Sequence, residues 1–71
     1  MNTIELIDGC IQVGCHLAFV YKGEVLEGTV QFSNVSAVDT LLTVDVCGRI
    51  YEICIDGGKA VIVEPRYLEA A

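Results

Sequence analysis

Short segments that alternate apolar and polar residues, most of them followed by glycine, cover most of this chain. Alternation with a period of two is typical of strands with one buried face, and glycine supplies the positive φ angles of tight hairpin turns. Turns are predicted at Lys22–Gly23, Cys47–Gly48 and Gly57–Gly58. The sequence therefore predicts five antiparallel strands, which are His16–Lys22, Glu24–Phe32, Thr40–Cys47, Arg49–Asp56 and Lys59–Val63.

The hairpin at Cys47–Gly48 has one favourable register. With these two residues at the centre of the turn, Val44 lies opposite Tyr51, and an aromatic residue paired with a β-branched one stabilises a sheet. A shift of the turn by one residue would place Asp45 directly opposite Glu52, where like charges are unfavourable. We therefore expect the first register, even though the first position of such a turn prefers asparagine, aspartate or glycine to cysteine.

The other hairpins and one interior glycine extend the same pattern. The other two turns place Phe19 opposite Leu26 and Asp56 opposite Lys59. Gly28 interrupts the second predicted strand, and a lone glycine inside a strand often allows a bulge or a sharp bend. We expect a bend at Gly28 that lets this strand serve two layers of the sheet.

Three segments fall outside the alternating pattern. Ser33–Asp39 is polar and is predicted to be a loop, in which Val35 and Val38 either turn inward or form a contact surface. Asn2–Ile11 suits either a strand or one helical turn. Pro65 lacks the N–H that a strand ladder needs and fits the first turn of a helix, so the residues after it are predicted to form a short helical turn.

Three stretches, HLAFVYKGEVLEGTV, LLTVDVCGRIYEICI and AVIVEPRYL, together resemble an SH3-like or Sm-like small barrel. The resemblance covers His16 to Leu68 and is one of architecture. Such barrels have bent strands, a glycine bend in the second strand and a short helical turn near one end. The resemblance implies an all-β fold, a small five-stranded antiparallel SH3-like barrel with a short C-terminal helical turn. One domain is expected over residues 1–71, with its core in residues 16–68.

The charge balance limits the partners that this chain can bind. Ten acidic residues against four basic ones give a net charge of −6, whereas contacts with a phosphate backbone need lysine or arginine. Direct nucleic-acid binding is therefore not expected. An apolar share of 54% indicates either a dense core or an apolar surface for a partner or a second copy of the chain.

The sequence also bears on the compartment. No apolar run is long enough for a membrane-spanning helix, and the first residues lack the basic region of a secretory signal. We therefore expect a cytoplasmic protein that does not bind membranes.

The four cysteines are Cys10, Cys15, Cys47 and Cys54. Without a secretory signal, reduced thiols are the default expectation, while disulfides and metal ligation remain alternatives. Paired zinc ligands are usually separated by about two to four residues. Here four residues separate the first pair and six the second, so no metal site is predicted. We expect Cys10, Cys15 and Cys54 to be small apolar packing residues and Cys47 to be an exposed thiol.

No catalytic constellation is recognisable. His16 is the single histidine, and Cys15 beside it points to the opposite face of a strand, so the two do not form a nucleophilic pair. Gly57–Gly58 precedes a strand, whereas a phosphate-binding glycine loop opens a helix. The sequence therefore predicts no catalytic residue, no cofactor and no enzyme activity.

Two classes of function remain. The first is a small acidic protein-binding module that acts through an exposed barrel edge or through an aromatic and acidic rim formed by Tyr21, Glu24, Glu27 and Tyr51. By analogy alone, small acidic domains of this kind are typical of phage or mobile-element accessory proteins that bind a host protein. The alternative is a symmetric oligomer with a small-molecule or enzymatic site at its subunit interface. A homo-oligomer is compatible with both.

Overall fold

A computed structural model of the chain describes residues 3–62, together with the backbone of residues 66–67. All regular elements in these residues are strands: β1 Thr3–Gly9, β2 His16–Tyr21, β3 Glu24–Val35, β4 Asp39–Val46, β5 Arg49–Asp56, β6 Lys59–Ile62 and β7 Arg66–Tyr67. Among the residues described there is no helix that could cross a membrane.

The strands β1 to β6 form a closed barrel. Each pairs antiparallel with the next along the chain, and β1 pairs with β6 to complete the ring. Closure removes most of the free edges that a flat sheet of this size would have. The prediction of a small all-β antiparallel barrel is confirmed.

The predicted count of five strands is wrong, because the N-terminal segment forms a sixth. Ile4 is buried in the core, and Leu6 packs against it from the same strand. A bulge between Leu6 and Asp8 disturbs the alternation and leaves Ile7 49% exposed. This irregular pattern is why the segment was compatible with both a strand and a helical turn.

The prediction of a C-terminal helical turn is wrong for Tyr67, which lies in a strand. Arg66 and Tyr67 pair with Ile50 and Arg49 of β5 as a two-residue strand. Among the described residues, β6 pairs with β5 no further than Ile53, and an extended chain can pair with the backbone groups of β5 beyond that point. Pro65 and Leu68, which belong to the same prediction, lie outside the described residues.

The three predicted hairpin registers are confirmed. Val44 lies opposite Tyr51, as predicted. Phe19 faces Leu26 across β2 and β3, and Asp56 faces Lys59 across β5 and β6. Lys22 and Cys47 adopt φ angles of 52° and 53°, each followed by a glycine with positive φ, as expected for two-residue primed turns.

As predicted, β3 serves two parts of the sheet and changes partner next to Gly28. Residues 24–29 of this strand pair with β2 and residues 29–35 pair with β4, with a bulge between Val30 and Phe32. Gly28 lies in the strand just before this change of partner. The predicted loop Ser33–Asp39 is too long, since β3 continues to Val35 and β4 begins at Asp39.

The core is entirely apolar among the described residues. Phe19 and Tyr51 meet edge to face with ring centroids 5.9 Å apart. Arg49 Nη1 lies 3.4 Å from the Tyr51 hydroxyl, so that polar group has a donor at the end of the barrel. The buried side chains are Ile4, Leu17, Ala18, Phe19, Val30, Leu42, Val44, Tyr51, Ile53, Ala60 and Ile62.

A disulfide between Cys10 and Cys15 closes the β1–β2 loop, with the two Cα atoms 5.8 Å apart. This corrects the expectation that both residues are reduced packing residues. The loop is fixed to the bend of β3, because Gly14 N–H donates to the Val30 carbonyl at 2.8 Å and Val30 N–H donates to the Cys15 carbonyl at 2.9 Å. Ile11 from the same loop packs against the core.

Candidate functional site

The four residues predicted to bind a protein lie in different environments. Tyr51 is 4% exposed, and its ring meets that of Tyr21 at a centroid distance of 6.0 Å. Tyr21 is half-buried, and Glu24 lies opposite it across the β2–β3 hairpin. Glu27 occupies the alternate face of β3 and is exposed. The structure therefore brings Tyr21, Glu24 and Tyr51 to one end of the barrel and places Glu27 on its outer wall.

Glu27 is paired with the single histidine. His16 Nε2 lies 2.9 Å from Glu27 Oε1, and the two side chains are 56% and 63% exposed. Exposed pairs of this kind contribute little to stability. In residues 3–62 no group of three histidine, cysteine or acidic side chains is arranged to hold a metal ion.

The remaining two cysteines are free thiols. Cys47 is exposed at its turn, as predicted. Cys54 is half-buried on the outer face of β5, where it lies opposite Leu41 and Val61. It is the central member of a cross-strand row of apolar side chains rather than a residue of the core.

Among the described residues, four of the seven exposed large apolar side chains lie on the hairpin of β3 and β4, here called the β3–β4 arm, residues 32–41. Phe32 and Leu41 are 51% and 43% exposed, and Val35 and Val38 near the tip are 65% and 79% exposed. The alternative in which these two valines turn inward is therefore wrong. Phe32 and Leu41 lie at outer-face positions of their strands, whereas Val35 occupies the alternate position, so these exposed apolar side chains are not all on one face.

A groove of about 280 Å³ runs along the outer face of the arm. Phe32 lies opposite Thr43, which in turn lies opposite Glu52. Leu41 and Leu42 complete the lining, and Leu42 also belongs to the core. The groove is therefore an open apolar recess with one hydroxyl and one carboxylate on its side.

The sheet face around the groove is acidic. Because side chains alternate along a strand, the charged residues on the outer face of β4 and β5 are Asp39, Asp45, Glu52 and Asp56, with no basic residue among them. Basic residues occur on both strands that pair with the other side of β5, because Lys59 of β6 pairs with Asp56 and Arg66 of β7 pairs with Ile50. Acidic residues therefore outnumber basic ones around the apolar recess, as they do in the whole chain, whose net charge is −6.

Sequence reasoning did not select Phe32 and Leu41 as site residues, although one signal was present. Leu41 and Leu42 are adjacent in a predicted strand, so alternation requires one of them to face outward. Phe32 gave no such signal, because its outward position depends on the bulge that follows Val30.

Comparisons of the chain with protein-family models, with curated proteins and with solved structures found no match.

Proposed function

We propose that this protein is a protein-binding module on a small barrel of SH3-like or Sm-like character, and that it binds its partner through the groove of the β3–β4 arm. The observation that carries the proposal is the open recess between Phe32 and Leu41 within an acidic sheet face. An apolar recess supplies binding free energy, and the surrounding charge supplies selectivity and a faster encounter.

The partner that fits this surface is a protein segment that presents one large apolar side chain flanked by lysine or arginine. The apolar side chain would enter the recess beside Phe32 and Leu41. The flanking cations would face the carboxylates of Asp39 and Asp56, which lie opposite each other on neighbouring strands. A cationic segment adds a favourable contact at these acids, beside the one that Lys59 offers Asp56, whereas an acidic segment adds repulsion.

The test is a titration of isotope-labelled protein with a peptide in which one leucine is flanked by lysines. The chemical shifts of the protein's backbone amides are followed by NMR. We expect shifts centred on Phe32, Leu41 and Thr43, and no binding of the matched peptide with glutamates in place of lysines. The double variant Phe32→Ala, Leu41→Ala should lose binding. Val25→Ala is the matched control, because Val25 is 59% exposed on another part of the barrel wall.

Binding that is unchanged in the double variant would place the partner elsewhere. In that case the aromatic and acidic rim of Tyr21 and Glu24 becomes the surface to test, and the variant Tyr21→Ala, Glu24→Ala should then abolish binding without unfolding the domain.

The alternative, a small-molecule or enzymatic site, finds less support in this groove. Ligand pockets bury most of the ligand and bring several polar groups together. Here only Thr43 and Glu52 are polar among the lining residues, and both flanking apolar side chains are about half exposed. An open groove of this kind suits a protein segment better than a small molecule that must be enclosed by its site.

A further inference from the structure

The strand β3 is paired on only one side along each of its halves. Residues 24–29 pair with β2 and residues 29–35 pair with β4. On the side of β3 that faces away from β4, the disulfide loop covers the strand as far as Val30. Hydrogen bonds join Val30 to Gly14 and Cys15 of this loop. Beyond Val30, no described strand pairs with this side, so residues 32–35 form an open edge.

The two unpaired stretches of β3 differ in charge. The first contains Glu24 and Glu27, and charged side chains are a usual protection of a free edge against association. The second lies within the run VQFSNVSAV, residues 30–38, which has no charged residue and no proline. Of the two unpaired stretches of β3, the open edge is therefore the one that lacks the charged residues and proline that protect a free strand edge from association.

The backbone groups at this edge can be assigned from the hairpin. Ser36 N–H donates to the Asp39 carbonyl at 2.8 Å, which defines a hydrogen-bonded pair at the end of the ladder. Pairs alternate in an antiparallel ladder, so Val35 and Ser33 belong to the non-hydrogen-bonded pairs with β4. Their N–H and C=O groups consequently point away from β4, toward the open edge.

We infer that this edge pairs with the same edge of a second copy of the chain, which gives a two-fold symmetric dimer with a sheet continuous between the two barrels. Ser33 and Val35 of one copy exchange backbone hydrogen bonds with Val35 and Ser33 of the other, so Asn34 lies on the two-fold axis. Antiparallel pairing of one segment with itself is an isologous contact that closes at two copies.

Charge favours a second copy as the occupant at this position. Two chains of net charge −6 repel each other over most of their surfaces, but the run of residues 30–38 brings no charge to the contact. The exposed side chains of Phe32, Val35 and Val38 lie in the same run and lose water contact on pairing. The dimer would also place two grooves on one continuous outer sheet face.

The experiment is a charge-swap pair at Asn34 with light scattering as the readout. Wild-type protein should have the mass of two chains. Asn34→Asp and Asn34→Lys should each weaken self-association about tenfold or more, because like charges then face each other across the axis. An equimolar mixture of the two variants should restore the two-chain mass. Gln12→Asp and Gln12→Lys place the same charges on the disulfide loop. Each of these control variants should keep the two-chain mass of the wild type.

Two outcomes would overturn the inference. One is a single-chain mass for the wild type up to about 1 mM, the range of the weakest measurable complexes. The other is a dimer that neither Asn34 variant weakens, which would place the interface elsewhere. Salt separates this inference from the proposed function, since added salt should strengthen pairing of two acidic copies and weaken binding of the lysine-flanked peptide.

Discussion

Gly28 lies so close to the carbonyl oxygen of Asp45 that a side chain at position 28 would overlap that oxygen. The contact joins β3 to β4 where β3 changes partner from one strand to the other. The obstacle is backbone, which cannot rotate away as a side chain can. The absence of a Cβ is therefore what allows the two strands to approach at the bend.

Gly28→Ala should lower the free energy of unfolding by about 2 kcal/mol or more, because the added methyl group forces the two strands apart. Urea unfolding followed by circular dichroism, at one fixed chain concentration, measures the change. Gly57→Asn is the control, since Gly57 has a φ of 59° that asparagine tolerates and open space around it. A loss at Gly28 no larger than at Gly57 would contradict the steric account.

The sequence was sufficient to predict the hairpins, because in each one the turn residues and the favourable cross-strand pairs indicate the same register. Like-charge avoidance at Asp45 and Glu52 selected the register that the structure shows. The residues that form β1 were ambiguous, because the bulge after Leu6 breaks the period of two. The open groove was not predicted, since Phe32 faces outward only because of a second bulge. Bulges depend on the three-dimensional path of the neighbouring strand and leave little trace in a single sequence.

The disulfide between Cys10 and Cys15 should be measurable as stability. In the loop-closure model, a loop of this length contributes about 2 kcal/mol. The double variant Cys10→Ser, Cys15→Ser and the reduced wild type should therefore both unfold at lower urea concentration, by similar amounts. Amide exchange should increase at Val30, whose N–H donates to Cys15 of this loop.

Reductant should have no effect on the stability of the double serine variant, and Cys47→Ser should respond to reductant as the wild type does. Thiol titration gives an independent check. Native protein without reductant should show two reactive thiols, Cys47 and Cys54, with the exposed Cys47 reacting first. Four reactive thiols in that state would contradict the disulfide.

Tyr51 should behave as a core residue. Replacement by alanine removes a ring that contacts those of Phe19 and Tyr21, so Tyr51→Ala should cost about 3–5 kcal/mol of unfolding free energy. Glu24→Ala, at an exposed position, should change stability by no more than about 0.5 kcal/mol. Urea unfolding of the two variants compares them directly, and a Tyr51→Ala protein as stable as the Glu24→Ala protein would contradict the burial of this ring.

The turns at Lys22–Gly23 and Cys47–Gly48 have the same backbone conformation but differ in their side-chain contacts. Both first residues have φ angles near 50°, which asparagine adopts more readily than lysine or cysteine. Cys47→Asn should therefore raise the free energy of unfolding by about 0.5–1 kcal/mol, while the bond from Gly48 N–H to Asp45 Oδ1 is retained. Lys22→Asn should gain less, because the Lys22 ammonium lies 5.3 Å from the Tyr21 ring centroid and this cation–π contact is lost. Urea unfolding of both variants tests the pair, and a larger gain at position 22 than at position 47 would show that the contact with Tyr21 contributes nothing.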